Sequence, residues 1–333
     1  MEKYALNVDV ATLEAFEDQL DPAFPDQSPD PPEILGYGEI SATFAIKKMP
    51  GIAFKRMPPF EKPEQIMAYR HILEQYHDLL TRSCHIPIPP CRVFDLTNRY
   101  SEHIVYVAQP LLPRQSIGNA MLLRGSVSDM HRMLSCIMDH LLNLREFNIQ
   151  HHPNLQIAID GQISNWSFSG PDGDENGAVA RQGFKDGDGM TVVYFDITTP
   201  LFRVNGVEQL DTEIFLKSCP MPLIWLVRWQ FLDEVVNRYY DLRPVLIDLV
   251  ANFYKEGRAD LIDPGLELIN ATIAEKQITR EIPLLKREEI DRYYKNDAFI
   301  WTVFLALRRM DRFVKTRFFS KRYNFILPGK IQR

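Results

Sequence analysis

Between residues 61 and 80, Ile66, Tyr69, Leu73, Tyr76 and Leu80 recur at intervals of three and four among polar neighbours, the spacing of one apolar helical face. Short apolar runs of strand type flank this segment: ILGYG, SATFAI and GIAFKRM before it, RVFDL and HIVYVAQPLL after it. Residues 33–112 are therefore predicted to form a small β-rich lobe with one inserted helix. After Pro113 the period changes. SVSDMHRMLSCIMDHLLNLREFNI reads as a long helix with Ser126 or Ser128 as its N-cap, and LQIAID, WSF and TVVYFDI as brief strands. Beyond Pro222, the segments WLVRWQFLDEVVNRYYDL, PVLIDLVANFYKEG, GLELINATIAEK and a run from Arg287 to Phe319 mix apolar and charged positions as packed helices do. Residues 113–333 are thus predicted as a larger, mainly helical lobe. Ahead of both, residues 9–20 have the pattern of a short amphipathic helix. The five prolines of DPAFPDQSPDPPE stop it, which makes 1–32 a leader and linker.

Composition narrows the class without naming an activity. At 333 residues, 45% hydrophobic and 25% charged, the chain can bury an ordinary core, which excludes a disordered, collagen-like or coiled-coil protein. The net charge of -6 gives no overall field for nucleic acid or an anionic membrane. That total conceals two opposed ends: residues 1–32 hold eight acids and one Lys, while residues 308–333 hold nine Lys and Arg and one acid. Cys84, Cys91, Cys136 and Cys219 show no zinc or redox spacing, so reduced thiols are expected. No stretch approaches eighteen apolar residues and the first ten lack a signal-peptide pattern, so the expectation is a cytoplasmic protein without a membrane segment. Oligomeric state has no signature in the sequence.

Residues 170–189 hold six of the sixteen glycines and read as a flexible insertion between two strands. Asp172, Asp174, Asn176 and Gly177 match the opening of a calcium-binding loop, but Gly183 stands where that loop needs a bidentate Glu. His151 and His152 have no third ligand at metal spacing and read as solvated imidazoles.

The chemistry-bearing positions come in order. Gly36, Gly38 and Ser41 lie between two strand-like runs, where a glycine hairpin lets backbone amides approach an anion. Lys55 sits in the apolar run GIAFK, where an ammonium needs an anion, and Glu74 on the following helix is a candidate partner; an Arg70–Glu74 surface pair is the alternative. Asp160 and Asn165 form D-x-x-x-x-N, and Asp196 ends the buried-strand pattern TVVYFD, where a carboxylate needs a partner such as a metal ion. As a bland alternative, Asp160-Gly161 is a turn. Phosphoryl transfer from a nucleotide calls for these groups: a cation on the phosphates, oxygen ligands for magnesium and a carboxylate beside the attacking hydroxyl.

By these ordered motifs, residues 33–200 resemble the protein-kinase-like superfamily. The resemblance implies an α+β, two-lobed kinase-like fold with a small β-rich N-lobe and a larger helical C-lobe. It implies that Gly36, Gly38 and Ser41 form the glycine-rich loop, Lys55 binds phosphate with Glu74 as its helix partner, and the Gln109-Pro110-Leu111-Leu112 segment joins the lobes and receives adenine, with Gln109 and Leu111 as its binding residues. It further implies Asp160 as the catalytic-loop aspartate, with Asn165 and Asp196 as metal ligands. Removing the twenty-residue insertion reduces the 31-residue separation of Asn165 and Asp196 to eleven, which suits a hairpin. The departures are that Ile157-Ala158-Ile159 precede Asp160 in place of a His-Arg or His-Gly pair, and Ile197-Thr198 follow Asp196 in place of Phe-Gly. In this the chain is more similar to aminoglycoside and choline kinases, and to uncharacterised bacterial families of the fold, than to protein kinases.

The implied function is ATP- and magnesium-dependent transfer to a small-molecule hydroxyl. The alternative is a pseudokinase, a nucleotide- or partner-binding module with little turnover. The basic stretch RRMDRFVKTRFFSKRYNF reads first as a helix with one face in the core and the other in water; a nucleic-acid role is the weaker reading, with docking on the acidic leader as a competing use.

Overall fold

The computed structural model describes residues 6–38, 41–169, 184–185, 190–211 and 236–329. Most of the 170–189 insertion, and the part of the expected helix 225–242 that precedes Val236, lie outside the described residues.

The fold is α+β, with a β-rich first lobe and a mainly helical second lobe. Its first part is a five-stranded antiparallel sheet built from β1 (Glu33–Tyr37), β2 (Ala42–Ala45), β3 (Ile52–Arg56), β4 (Arg92–Thr97) and β5 (His103–Pro110), in the order β1-β2-β3-β5-β4. The two-residue side-chain period of β5 explains why this sheet is buried on both faces. Ile104, Tyr106 and Ala108 point to one core, Val105 and Val107 to the other. On the first face lies α1 (Val10–Gln19), capped by Asp9 and applying Leu13, Phe16 and Leu20 to Phe44, Phe54 and Tyr106. On the second lies α2 (Pro63–Asp78), whose buried residues are Ile66, Tyr69, Leu73 and Tyr76, with Leu80 just beyond it. The leader expected over 1–32 thus contributes a helix to the first lobe's own core.

β3 divides its side chains in the same way. Phe54 and Arg56 face α1, and Lys55 faces the opposite side. The buried Arg56 guanidinium donates from Nε and Nη2 to both oxygens of Glu17, each at 2.8 Å, and Glu17 also accepts from Tyr106 (2.7 Å) and Asn98 (3.1 Å). The chain's far end completes this cluster. Arg322 donates to Glu17 at 3.3 Å and to Glu102 at 3.0 Å, Asn324 donates to Glu102 at 2.6 Å, and Ile326 enters the apolar core beneath α1. The opposed charges of the two ends therefore meet on the outer face of the first lobe.

The second part packs α3 (Gly118–Arg124), α4 (Val127–His151), α5 (Leu242–Lys255), α6 (Ile262–Glu275) and α7 (Arg287–Arg317). Ser126 caps α4 in a reciprocal box with Asp129, so of the two expected caps the earlier serine serves. The core joins Met133, Leu134, Ile137 and Leu141 of α4 to Leu249, Val250 and Phe253 of α5 and Ile269 and Ile273 of α6. Two small sheets hang on this bundle: β6 (Leu155–Ile157) with β10 (Phe202–Val204) and β11 (Val207–Glu208), and β7 (Trp166–Ser169) with β8 (Phe184–Lys185) and β9 (Thr191–Tyr194). Among the described residues no helix is long and apolar enough to cross a membrane.

Candidate active site between the lobes

The first lobe presents Lys55 from the middle of β3, held in register by Thr43 on one side and Val107 on the other. Its Nζ donates to Asp196 Oδ1 at 2.5 Å, and both side chains are mostly buried. This bond spans 141 positions and ties the sheet to the segment that leaves β9. A charged pair in such a place needs geometry this close, since each ion has lost most of its water.

Asp196 is held by the backbone around it. Phe195 N donates to Asn165 O at 3.0 Å, and Gln109 Nε2 donates to Phe195 O at 3.2 Å. Thr198 O accepts from the Tyr69 hydroxyl at 2.8 Å. Gln109 thus reaches from the last turn of β5 to the carboxylate segment, while Leu111, partly exposed, donates its N–H to Gly51 O at 2.9 Å.

Asp160 follows the buried Ile157-Ala158-Ile159, whose Ala158 carbonyl accepts from the Tyr76 hydroxyl at 2.6 Å. Its Oδ1 accepts from Gln162 N at 3.2 Å, and Asn165 Nδ2 donates to Asp160 O at 3.2 Å. That bond leaves the Asn165 amide oxygen available. Burial, and then the negative charges of Asp248 and Asp196, push the Asp160 carboxyl up to about 7. Lys55, Asp160, Asn165 and Asp196 are therefore brought together, through two direct bonds and one through-space repulsion.

The glycine hairpin is present in a modified form. Gly38 N donates to Ser41 O at 2.8 Å and closes the turn, whereas Gly36 lies within β1 opposite Thr43, beside a register irregularity. A Cβ built at Gly36 would touch nothing within 4 Å. The close approach is at Gly38, where a Cβ would stand 3.2 Å from Ser41 O. Gly36 is accordingly a strand residue with open space beside it.

Glu74 is not the partner of Lys55. It is exposed on α2, and the helix turns Tyr69 and Tyr76 toward the site in its place. A helix advances 100° per residue, so Glu74 lies well round from the buried Leu73 and Tyr76. Its charge is felt instead by Cys91, whose thiol is pushed up to about 12 by burial and then by Glu74. Burial alone raises the Cys84 thiol to about 12. At pH 8 only about one in 10⁴ of either thiol is ionised, so both are expected to resist iodoacetamide in the native protein and to react in urea. Peptide mass mapping checks this, and rapid native labelling of Cys84 would contradict its placement.

Asp248 is the site residue that sequence reasoning missed. It is buried on α5, accepting from Gln162 Nε2 at 3.0 Å and from Asn252 Nδ2 at 3.1 Å. The signal was available: a carboxylate within the apolar run PVLIDLVANF, with an Asn one turn later. His151 and His152 are both exposed, the former stacked on Phe147, and the described residues contain no cluster of three His, Cys, Asp or Glu fit for a metal.

No protein-family model matches the chain, and no curated protein is similar to it at a significant level. Among solved structures, two GDP complexes of aminoglycoside 2'-phosphotransferase-IIIa are similar to it. A mutant form is 15% identical, over 80% of this chain and 97% of that one, at a TM-score of 0.25. The wild-type form is 14% identical, over 80% and 98%, also at a TM-score of 0.25.

Proposed function

We propose that the cleft binds a nucleoside triphosphate with a divalent cation and transfers its terminal phosphoryl group to a hydroxyl of a small molecule. The observation that supports this most is the Lys55–Asp196 bond between the lobes, with Asp160 and Asn165 adjoining it. The donor set fits magnesium. Asp196 and the Asn165 amide supply hard oxygens, and Asp160, Asp196 and the nearby Asp248 outnumber Lys55 and Arg238, leaving the cleft short of positive charge. Bound there, the cation neutralises charge on the phosphate oxygens.

The chain's own groups then have separate tasks. The Lys55 ammonium, shared with Asp196, neutralises phosphate oxygen; the backbone at Gly38 closes the hairpin over it; Gln109 and Leu111 border the base. Asp160 accepts the acceptor's hydroxyl proton as that oxygen bonds to phosphorus and the bond to the leaving diphosphate breaks. A proton affinity near 7 suits a group that must take up and release a proton near neutrality.

One observation favours a second reading, a module that binds nucleotide without turnover. With Glu74 turned outward, Lys55 has no carboxylate on α2 to hold it once phosphate or metal draws Asp196 away. Thermal unfolding with ATP or GTP, each with and without magnesium, tests both. At a hundred times the dissociation constant the expected stabilisation is about 2.7 kcal/mol. Asp196→Ala is expected to abolish its magnesium-dependent part. No shift with either nucleotide would remove both readings; a shift without nucleotide consumption in the presence of hydroxyl acceptors would select the second.

A further inference from the structure

The long helix α7 (Arg287–Arg317) carries two faces of different fate. On one, Ile290, Leu305 and Arg308 are buried, Ile290 in the core of the second lobe and Arg308 over the Phe325 ring at 4.9 Å, and Asp297 is bonded to Lys255 of α5 at 3.1 Å. On the other, Phe299 is 70% exposed, Met310 51% and Phe313 57%, and Ile300, Val303 and Ala306 are exposed as well. Phe299, Val303, Ala306, Met310 and Phe313 step by four, three, four and three residues. That is the seam of a heptad, a straight stripe which a second helix can cover along its length. Phe318 prolongs it, edge-on to Phe313 at 5.8 Å between ring centres, followed by the exposed Phe319.

The size of this stripe indicates what covers it. Aromatic side chains offer roughly 150–250 Å² each, so the exposed parts of Phe299, Val303, Met310 and Phe313 come to about 400 Å², and the flanking Ile300, Phe318 and Phe319 bring the apolar patch to about 800 Å². A monomer's largest apolar patch is ordinarily about 300–600 Å². About 800 Å² is what one partner of a stable complex buries. Charge decides between the orientations. Once the side chains paired within the chain and the buried Arg308 are set aside, residues 287–298 keep Glu288, Arg292 and Lys295, whereas residues 306–317 keep Arg309, Arg312 and Arg317. A parallel pair would set the two three-arginine halves against each other; an antiparallel pair sets each against the nearly neutral half. About a two-fold axis at Ala306, Phe299 faces Phe313 of the other copy, Val303 faces Met310, and the small Ala306 side chains let the helices approach at the crossing.

We propose that α7 pairs antiparallel with α7 of a second copy of this chain along the Phe299–Phe313 stripe. Sedimentation equilibrium of the full chain is expected to give twice the chain mass at micromolar concentration. Met310→Glu, a surface change in the single chain, is expected to keep the circular dichroism spectrum and raise the dimer dissociation constant at least about 100-fold. Ala306→Cys is expected to cross-link to itself on oxidation, and Phe313→Cys, far from its own symmetry mate, is expected not to. A wild-type monomer, a dimer indifferent to Met310→Glu, or self-cross-linking of Phe313→Cys without that of Ala306→Cys would each overturn the pairing. None of these readouts depends on nucleotide binding, so this test is separate from that of the cleft.

Discussion

Glu17→Ala is expected to destabilise the protein by about 3–5 kcal/mol, measured by urea unfolding followed through tryptophan fluorescence. Removing one partner of a buried ion pair leaves the other without compensation, which accounts for most of that loss. Here the stranded group is the Arg56 guanidinium, fully enclosed between the sheet and α1, and Tyr106, Asn98 and Arg322 each lose an acceptor as well. Burial by itself would raise the Glu17 carboxyl; the charge and hydrogen bonds of Arg56, with those of Tyr106 and Asn98, outweigh it and hold the carboxyl at about 2. The folded value lies below the ordinary 4.5. The corresponding stability, about 3 kcal/mol, is therefore complete above pH 4.5 and is lost as pH falls from there toward 2. Glu17→Gln should flatten the stability profile across that acid window. A variant whose profile kept the wild-type slope between pH 4.5 and 2 would show that Glu17 is not the titrating group.

The second large effect has the opposite sign. Asp160→Asn is expected to stabilise the fold at pH 8 by about 2 kcal/mol and to slow nucleotide hydrolysis, in which water takes the acceptor's place, by about 10²–10⁴-fold. The folded carboxyl, at about 7, lies above its ordinary 3.8, so ionisation is resisted by burial, by Asp248 and by Asp196. Stability is complete below pH 3.8 and declines as pH rises toward 7. The figure of 2 kcal/mol is about half of what that displacement implies, because the residue keeps some contact with water. The gap in melting temperature between variant and wild type should therefore widen from pH 4 to pH 8. A variant less stable than wild type at pH 8 would mean that Asp160 holds the fold together and is not kept there for chemistry.

Sequence patterns revealed much of the lobe that carries Lys55 because its strands alternate and its helix repeats its apolar face cleanly. The Ile66-Tyr69-Leu73-Tyr76-Leu80 stripe already implied that Glu74 points away, since a residue next to Leu73 lies 100° from it. Motif order favoured Glu74 as the lysine's partner; helical geometry delivered two tyrosines whose hydroxyls brace backbone carbonyls instead. Asp248 went unnoticed although it meets the same criterion that singled out Asp196, a carboxylate inside an apolar run. Glu17 meets it as well: in DVATLEAFEDQL it stands four residues after Leu13 and three before Leu20, on the apolar face of the helix. Its partners carried no such mark, since Arg56 and Arg322 are 39 and 305 positions away. Long-range pairing of this kind leaves no local period to read, only the opposed charges of the two termini.

The closure of the chain's two ends bears on how the protein is made. The strands of the first lobe leave the ribosome before the second lobe, but Arg322, Asn324 and Ile326, which finish its outer face, leave it after α7. Until then Glu102 lacks two of its donors and the apolar core under α1 lacks one wall. Synthesis therefore runs from the first lobe to the second, yet the first lobe reaches its final form only after the helices of the second have been made.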